Sequence, residues 1–208
     1  MFAADRALYL PKAWTDNPAR MATAHVPDGT AFATKPGLAV KMIERTIAAG
    51  VPFAWVAADS VYGVGAIETA LRRAGKGYVL GVNANHYFRS WHGKPQRAGS
   101  AEEIARTLDP SAWQRLSAGD GTKGARLHDW MYCELADLDA AEYDDARTGL
   151  WTRGLLIRRN IADGDLAFFA TWCPAGTGIE TLVKVEGHRW AEVVKVPPAG
   201  RWNTTGGD

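Results

Sequence analysis

An aspartate directly after an apolar run is the residue best placed for chemistry in this sequence. Asp59 follows residues 53–58, Phe-Ala-Trp-Val-Ala-Ala, and opens the stretch Asp-Ser-Val-Tyr-Gly. A carboxylate at the carboxyl end of a buried parallel strand lies where open α/β sheets bind their ligands. The same residues also suit a turn, in which Asp59 caps the next helix while Ser60 and Gly63 reverse the chain. Both interpretations stay open from these residues alone.

Two glycine-rich stretches raise the question of nucleotide binding. Gly63 and Gly65 follow the apolar run and precede a helical pattern, but a dinucleotide fingerprint needs a third glycine where Glu68 stands. Asp59 would also place a negative charge against the pyrophosphate. Residues 119–124, Gly-Asp-Gly-Thr-Lys-Gly, lack the spacing of a Walker loop. We therefore expect turns here rather than nucleotide sites.

A polar and aromatic segment between His86 and His92 is a candidate for contact with nucleic acid. The histidine spacing fits neither a zinc finger nor a pair on one helix face. Cations among aromatic rings suit contact with nucleic acid whose bases stack on the rings, and a solvated loop is the alternative. The candidate side chains of this segment are Arg89, Trp91, Lys94 and Arg97.

A second candidate for phosphate contact is the adjacent pair Arg158 and Arg159. Both lie in a predicted strand, so the outer face of that strand is the alternative interpretation of the pair.

The elements around Asp59 have the pattern of an α/β unit. Helices are predicted over residues 35–50 and 64–74, and apolar runs of strand length lie at 53–58 and 78–82. Continuous apolar runs are typical of strands buried on both faces, so a parallel pair with covering helices is expected. Upstream, residues 7–11 indicate a short strand, and Asp16 or Asn17 before Pro18 indicates the cap and start of a short helix.

After Asn83 the pattern changes to one of β-strands. Strands are predicted over residues 127–135, 154–161 and 166–173, and the turn at 162–165 joins the last two as a hairpin. Ser100 and Glu103 form a capping box at the start of a helix over 101–108, and a last helix is predicted over 177–190. We interpret the β-rich part as a mostly antiparallel insertion beside the α/β core.

Composition excludes several classes of protein. The net charge is +1 and the pI is about 7.8. Dedicated nucleic-acid domains usually have a pI above about 9, so the overall charge argues against DNA binding as the sole task of this chain. No apolar run approaches the roughly 18 residues of a membrane span, so no membrane contact and a cytoplasmic location are expected. Cys133 and Cys173 form no metal or redox motif, which predicts two buried thiols.

Several motifs taken together resemble the transposases of bacterial insertion sequences. The resemblance is closest to the branch with a Tyr-Arg-Glu-Lys signature in its last catalytic helix, and it spans about residues 5–191. The matching stretches are 8–14 (Leu-Tyr-Leu-Pro-Lys-Ala-Trp), 31–36 (Ala-Phe-Ala-Thr-Lys-Pro), 53–82, 121–124 (Gly-Thr-Lys-Gly) and 187–190 (Gly-His-Arg-Trp).

The resemblance implies an α/β fold, a partial ribonuclease-H-like core with an inserted, mostly antiparallel β-rich subdomain. Residues 1–83 would be the first part of the core, 84–176 the insertion, and 177–191 the start of the final core helix. The family's catalytic domain, with its Asp, Asp and Glu (DDE), holds two Mg²⁺ ions for phosphodiester transfer on DNA. Asp59 matches the second aspartate, which gives it a catalytic and metal-binding role. Arg189 matches the signature arginine and is expected to bind DNA.

Departures from the family pattern predict a truncated and inactive protein. The first aspartate belongs on a strand before residues 8–14, and Asp5 is no substitute for it. Glu186 stands at the signature tyrosine and Val193 at the signature glutamate. Glu192 is one residue early, a rotation of about 100° on a helix. Residues 192–208 diverge from the family, and we expect a disordered tail there.

The sequence therefore predicts a truncated DDE transposase that binds Mg²⁺ weakly or not at all and is inactive alone. The expected partners are DNA at insertion-sequence ends and a second copy or an intact transposase. One alternative is a DNA-binding or dimerising remnant that interferes with intact transposase. Another is a small α/β enzyme that uses Asp59 in unrelated chemistry.

Overall fold

The structure is a computed structural model that describes residues 5–89, 98–122, 124–135 and 151–188. The expected tail at 192–208 lies outside these residues. Within them, helices and strands form a mixed α/β fold, which confirms the predicted class and is consistent with a partial ribonuclease-H-like core.

The amino-terminal part is helical, and none of its three helices contains a fully buried residue. Helix α1 spans Lys12–Thr15, α2 spans Pro18–Thr23 and α3 spans Lys35–Ala48. Asn17 accepts a hydrogen bond from the amide of Arg20, so the predicted start of α2 is confirmed. The predicted strand at 7–11 is wrong: these residues are irregular. No described strand pairs with them, and Leu8 and Tyr9 stay exposed.

The predicted α/β unit is present. Strand β1 (Trp55–Ala58) pairs in parallel with β2 (Gly77–Val82), and helix α4 (Gly65–Arg73) connects them. Every residue of β2 is buried, as its apolar pattern predicts. The expectation of burial on both faces is wrong for β1, whose four residues are only half-buried because β1 lies at the edge of the sheet.

The β-rich part extends the same sheet. Strands β5 (Gln114–Gly121), β6 (Gly124–Glu134), β7 (Trp151–Arg159) and β8 (Leu166–Pro174) pair antiparallel in sequence order. Strand β8 then pairs antiparallel with β2, so the order is β1-β2-β8-β7-β6-β5. The three predicted strands and their hairpin are confirmed. The predicted domain boundaries at 83 and 176 stay a prediction. Backbone hydrogen bonds join β2, before the first boundary, to β8, which lies between the two.

A second, two-stranded sheet pairs β3 (Tyr87–Phe88) with β4 (Gly99–Ser100). Helix α5 (Ala101–Thr107) begins at the predicted capping box of Ser100 and Glu103, and a short 3₁₀ helix spans Pro110–Ala112.

Helices cover both faces of the large sheet. Side chains of α3, α4 and α5 pack on one face with Tyr78 and Leu80 of β2. Helix α6 (Ile179–Gly187) packs on the other face with Val79. Because α6 contacts β1 and β2 as well as β5 and β6, which are opposite ends of the strand order, the sheet curls around this helix.

The carboxyl end of α6 lies directly on β5. A Cβ atom at Gly187 would overlap the backbone carbonyl of Ala118. Arg126 donates hydrogen bonds to the carbonyl oxygen of Ala118 on β5 and to that of Gly187, which satisfies one acceptor at the end of the helix. The glycine of the Gly-His-Arg-Trp motif is therefore required by a close backbone approach.

We predict that Gly187→Ala lowers the free energy of unfolding by about 1–3 kcal/mol, because the added methyl has no space. Gly65→Ala is the matched control: a Cβ there meets no atom within 4 Å, and alanine favours a helix by up to about 1 kcal/mol. Urea unfolding followed by circular dichroism measures both. Equal stability of Gly187→Ala and the parent chain would contradict the close packing.

Candidate functional site

Asp59 is an exposed residue directly after β1. Its Oδ1 accepts a hydrogen bond from the amide of Val61 at 3.0 Å, and its carbonyl oxygen accepts one from the amide of Tyr62 at 3.0 Å. Helix α4 begins after Val64 without a side-chain cap, so Asp59 shapes the turn but does not cap the helix. Among the described residues Oδ2 has no protein partner, which leaves it facing solvent beside the sheet.

Two glycines fix the position of the Asp59 turn. A Cβ on Gly63 would overlap the carbonyl oxygen of Gly81, and a Cβ on Gly81 would lie 2.8 Å from the amide nitrogen of Ser60. The turn therefore lies directly against the backbone of β2. A larger residue at either position would displace the carboxylate from the end of the sheet.

An open cavity of about 310 Å³ adjoins Asp59 at the carboxyl ends of β1 and β2. Asp59 and Ser60 line it from β1, residues 81–84 from β2, Arg158 from β7, and residues 166–169 from β8. Its polar side chains are a carboxylate, a hydroxyl, the Asn83 amide and a guanidinium. This is the edge at which open α/β sheets bind ligands, as the sequence predicts.

Arg158, which lines the cavity, contacts Glu186 and two aromatic rings inside the protein. Its Nη1 donates to Oε1 of Glu186 on α6 at 3.1 Å. The guanidinium also lies over the rings of Trp130 and Phe169, at 6.0 and 5.8 Å from their centroids. Glu186 is only 2% exposed, so this ion pair joins α6 to β7 inside the protein.

Arg159 projects to the opposite face of the sheet, because successive side chains of a strand alternate. Its Nη2 donates to Oδ2 of Asp129 at 2.9 Å, and its guanidinium lies 4.3 Å from the centroid of the Trp113 ring. Hydrogen bonds from Arg115 and then from Arg159 lower the pKa of Asp129. Arg158 and Arg159 therefore do not form one cationic site.

Of the other predicted DNA-binding residues, Arg89 is described by the structure and is not among the residues that line the cavity. Arg89 is exposed after β3, with its guanidinium 5.9 Å from the centroid of the Tyr87 ring. Trp91, Lys94, Arg97 and Arg189 lie outside the described residues. The described His, Cys, Asp and Glu residues form no cluster of three suited to a metal. His86 is partly buried next to Phe88, and burial lowers the pKa of its imidazole.

A buried ionic cluster that sequence reasoning missed lies on the α4 face. Glu68, 3% exposed, accepts from Arg153 at 2.8 Å and from the hydroxyl of Tyr78 at 3.2 Å. Arg72 lies 3.5 Å from the same carboxylate. Burial, with the Glu68 charge, raises the pKa of Tyr78. The spacing of Glu68 and Arg72 by four residues was the available signal. Glu68, which stands where a dinucleotide fingerprint would need its third glycine, is therefore a structural residue.

The part of the chain that contains the Asp59 turn matches a known protein family. A family model described as DDE superfamily endonuclease matches residues 1–132, which include the Asp59 turn and both parallel strands. The chain belongs to the DDE superfamily of endonucleases. The predicted resemblance to the DDE domain of insertion-sequence transposases is thereby confirmed. A search of curated proteins found no match.

Membership in this superfamily implies DNA as the substrate and a general use of divalent metal ions. The residues that line the cavity include Asp59, Ser60 and Asn83, whose side chains carry hard oxygen donors that suit a hydrated divalent metal ion. Asp59 supplies the carboxylate among the described cavity residues, so the donor set fits an ion that keeps most of its waters.

Two further predictions concern the membrane and the cysteines. No described helix combines the length and apolarity needed to span a bilayer, and the cytoplasmic location stays a prediction. Cys133 and Cys173 are both buried thiols, as predicted.

We predict that Glu68→Gln lowers the free energy of unfolding by about 3 kcal/mol or more, since it leaves buried guanidinium charge without its carboxylate. Glu102→Gln, which breaks the exposed pair with Arg106 on α5, is the control, with an expected effect below about 0.5 kcal/mol. Urea unfolding compares the two variants. Similar small losses in both would show that the Glu68 cluster is not a structural anchor.

Proposed function

We propose that this chain is a fragment of an insertion-sequence transposase whose Asp59 is a metal-binding catalytic carboxylate. The observation that carries the proposal is the exposed Asp59 carboxylate at the end of β1, beside a polar cavity shared with the end of β2. The close contact of Gly63 with Gly81 supports it, because a rigid turn holds the carboxylate in one place.

Each residue of the cavity has a role in this proposal. Asp59 would hold the metal, and its Oδ1 already accepts a hydrogen bond from the Val61 amide. Ser60 and Asn83 would help to hold the hydrated ion, and Arg158 would contact DNA phosphate. When bound, Mg²⁺ supplies activation of a water or a DNA 3′-hydroxyl and stabilisation of the leaving oxygen. DNA at insertion-sequence ends is the proposed substrate.

Inactivity of the isolated chain is part of the proposal. The signature glutamate position holds Val193, and the signature tyrosine position holds Glu186. Glu186 is buried against Arg158 rather than directed to a metal. A two-metal mechanism needs several carboxylates around the reacting phosphate, and Asp59 alone holds Mg²⁺ weakly because the ion gives up its waters reluctantly.

A second candidate function is that of a DNA-binding or dimerising remnant that interferes with intact transposase. The location of Arg158 favours it, because a guanidinium in the cavity retains phosphate contact when catalysis is lost. A DNA-bound but inactive chain would occupy the transposase's own sites.

The first test is of DNA cleavage. We expect the purified chain to bind a labelled DNA duplex without nicking a supercoiled plasmid, in either Mg²⁺ or Mn²⁺. Agarose-gel analysis of the plasmid measures nicking. Metal-dependent nicking that is lost in Asp59→Ala would overturn the proposed inactivity and leave the metal role of Asp59 standing.

The second test is of metal binding. We expect Asp59→Asn to weaken Mn²⁺ binding by at least about tenfold, because outer-shell changes alone cost roughly 10–100-fold in metal affinity. Titration followed by electron paramagnetic resonance of free Mn²⁺ measures it. Asp120→Asn removes the same charge from an exposed position on β5 and should leave the affinity unchanged. Equal weakening in both variants would refute a site at Asp59.

A further inference from the structure

Arg158 and Glu186 form an ion pair with an unusual placement. Glu186 lies on the inner face of α6 and is almost fully buried, whereas the Arg158 side chain is 26% exposed. One side of the guanidinium contacts the core through Glu186, Trp130 and Phe169. Arg158 also lines the cavity that contains Asp59. The pair therefore connects the interior of the protein to the candidate site.

The Glu68 cluster on the opposite face of the sheet is a buried ionic cluster that lies away from the cavity, and it can be compared with the pair of Glu186 and Arg158. There the carboxylate has Arg153, Arg72 and the Tyr78 hydroxyl around it, and none of these lines the cavity. Burying a carboxylate is costly unless it is paired. The buried carboxylate of Glu186 is paired with Arg158, whose partly exposed side chain lines the cavity beside Asp59.

The guanidinium is suited to one class of ligand. Its planar fork of N–H donors matches the oxygens of a phosphate group, and pre-orientation reduces the side-chain entropy lost on binding. Ser60 and Asn83 place a hydroxyl and an amide, which can also donate hydrogen bonds, in the same cavity. A phosphate of a nucleic-acid strand can therefore contact Arg158 while Asp59 lies beside it.

We propose that Arg158 binds a DNA phosphate next to Asp59, and that Glu186 is a positioning residue that holds the Arg158 guanidinium toward the cavity. This inference rests on the proposed function, in that it requires the chain to bind DNA. It gives Glu186 a role in DNA binding through Arg158, with no contact of its own to DNA.

The salt dependence of DNA binding tests the Arg158 contact. Each neutralised phosphate contributes a slope of about −0.9 to the plot of log affinity against log salt concentration. Fluorescence anisotropy with a labelled DNA duplex should therefore show a slope smaller by about one for Arg158→Gln, and binding roughly tenfold weaker at low salt. Arg153→Gln removes a guanidinium from the other face of the same strand and should leave the slope unchanged.

A double-mutant cycle tests the role of Glu186. Removal of a negative charge near DNA by itself strengthens binding, so a weakening must act through another group. We expect Glu186→Gln to weaken DNA binding several-fold in the parent chain and to have no weakening effect in the Arg158→Gln background. Glu68→Gln is the control for loss of a buried carboxylate and should not weaken binding.

The possible results separate the two proposals. DNA binding with an unchanged slope in Arg158→Gln overturns this inference together with the phosphate contact assigned to Arg158, and leaves the metal-binding role of Asp59 intact. Equal effects of Glu186→Gln in both backgrounds overturn the positioning role of Glu186 alone. A parent chain that does not bind DNA overturns both. If Arg158→Gln does not fold, protection of the parent chain against phenylglyoxal decides: DNA should protect Arg158 and not Arg106, and modification of Arg158 at an undiminished rate refutes the contact.

Discussion

The antiparallel ladder between β2 and β8 is the interaction on which the rest of this structure depends. It runs from Tyr78 opposite Trp172 to Val82 opposite Phe168. This ladder joins the parallel pair that carries Asp59 to the antiparallel strands that carry Arg158. Without it, the Asp59 turn and β7 would belong to separate sheets, and the residues that line the cavity would not lie together. The candidate site is therefore a product of long-range strand pairing.

The curl of the sheet follows from what α6 must cover. Val79 of β2 and Ala118 of β5 belong to the same apolar cluster as Leu182 and Val183 of this helix. A flat sheet would hold β2 and β5 too far apart to contact one helix, because neighbouring strands are about 4.8 Å apart. Buried glutamates then tie helices to β7 on both faces, Glu68 from α4 and Glu186 from α6. The two ion pairs fix the layers relative to one another.

Local patterns predicted much of this arrangement. Apolar runs and helix caps located α3, β1, α4 and β2 in order, and the fit of Asp59 to the family motif is independent of the structure. The hairpin of β7 and β8 also followed from its turn residues. These features depend on residues close together in the chain, where propensity, capping and turn chemistry act.

The features that escaped prediction depend on distant partners. The partial exposure of β1 follows from its place at the end of the strand order, which no local pattern reports. Arg158 and Arg159 are adjacent in sequence, yet alternation along β7 sends one to the cavity and the other to Asp129. Glu186 was noted only as a departure from a motif, because its pairing with Arg158 is visible only when α6 lies on the sheet.

The position of β1 has a consequence for how the chain behaves at high concentration. In the described part of the protein, β1 has a neighbour on one side only, so its outer N–H and C=O groups are available to pair with an added strand. The four residues offer a short template of apolar side chains. Self-association through this edge would extend the sheet beyond a single molecule. Lysine or proline introduced on the outer edge would oppose such growth, as they do in natural sheet edges.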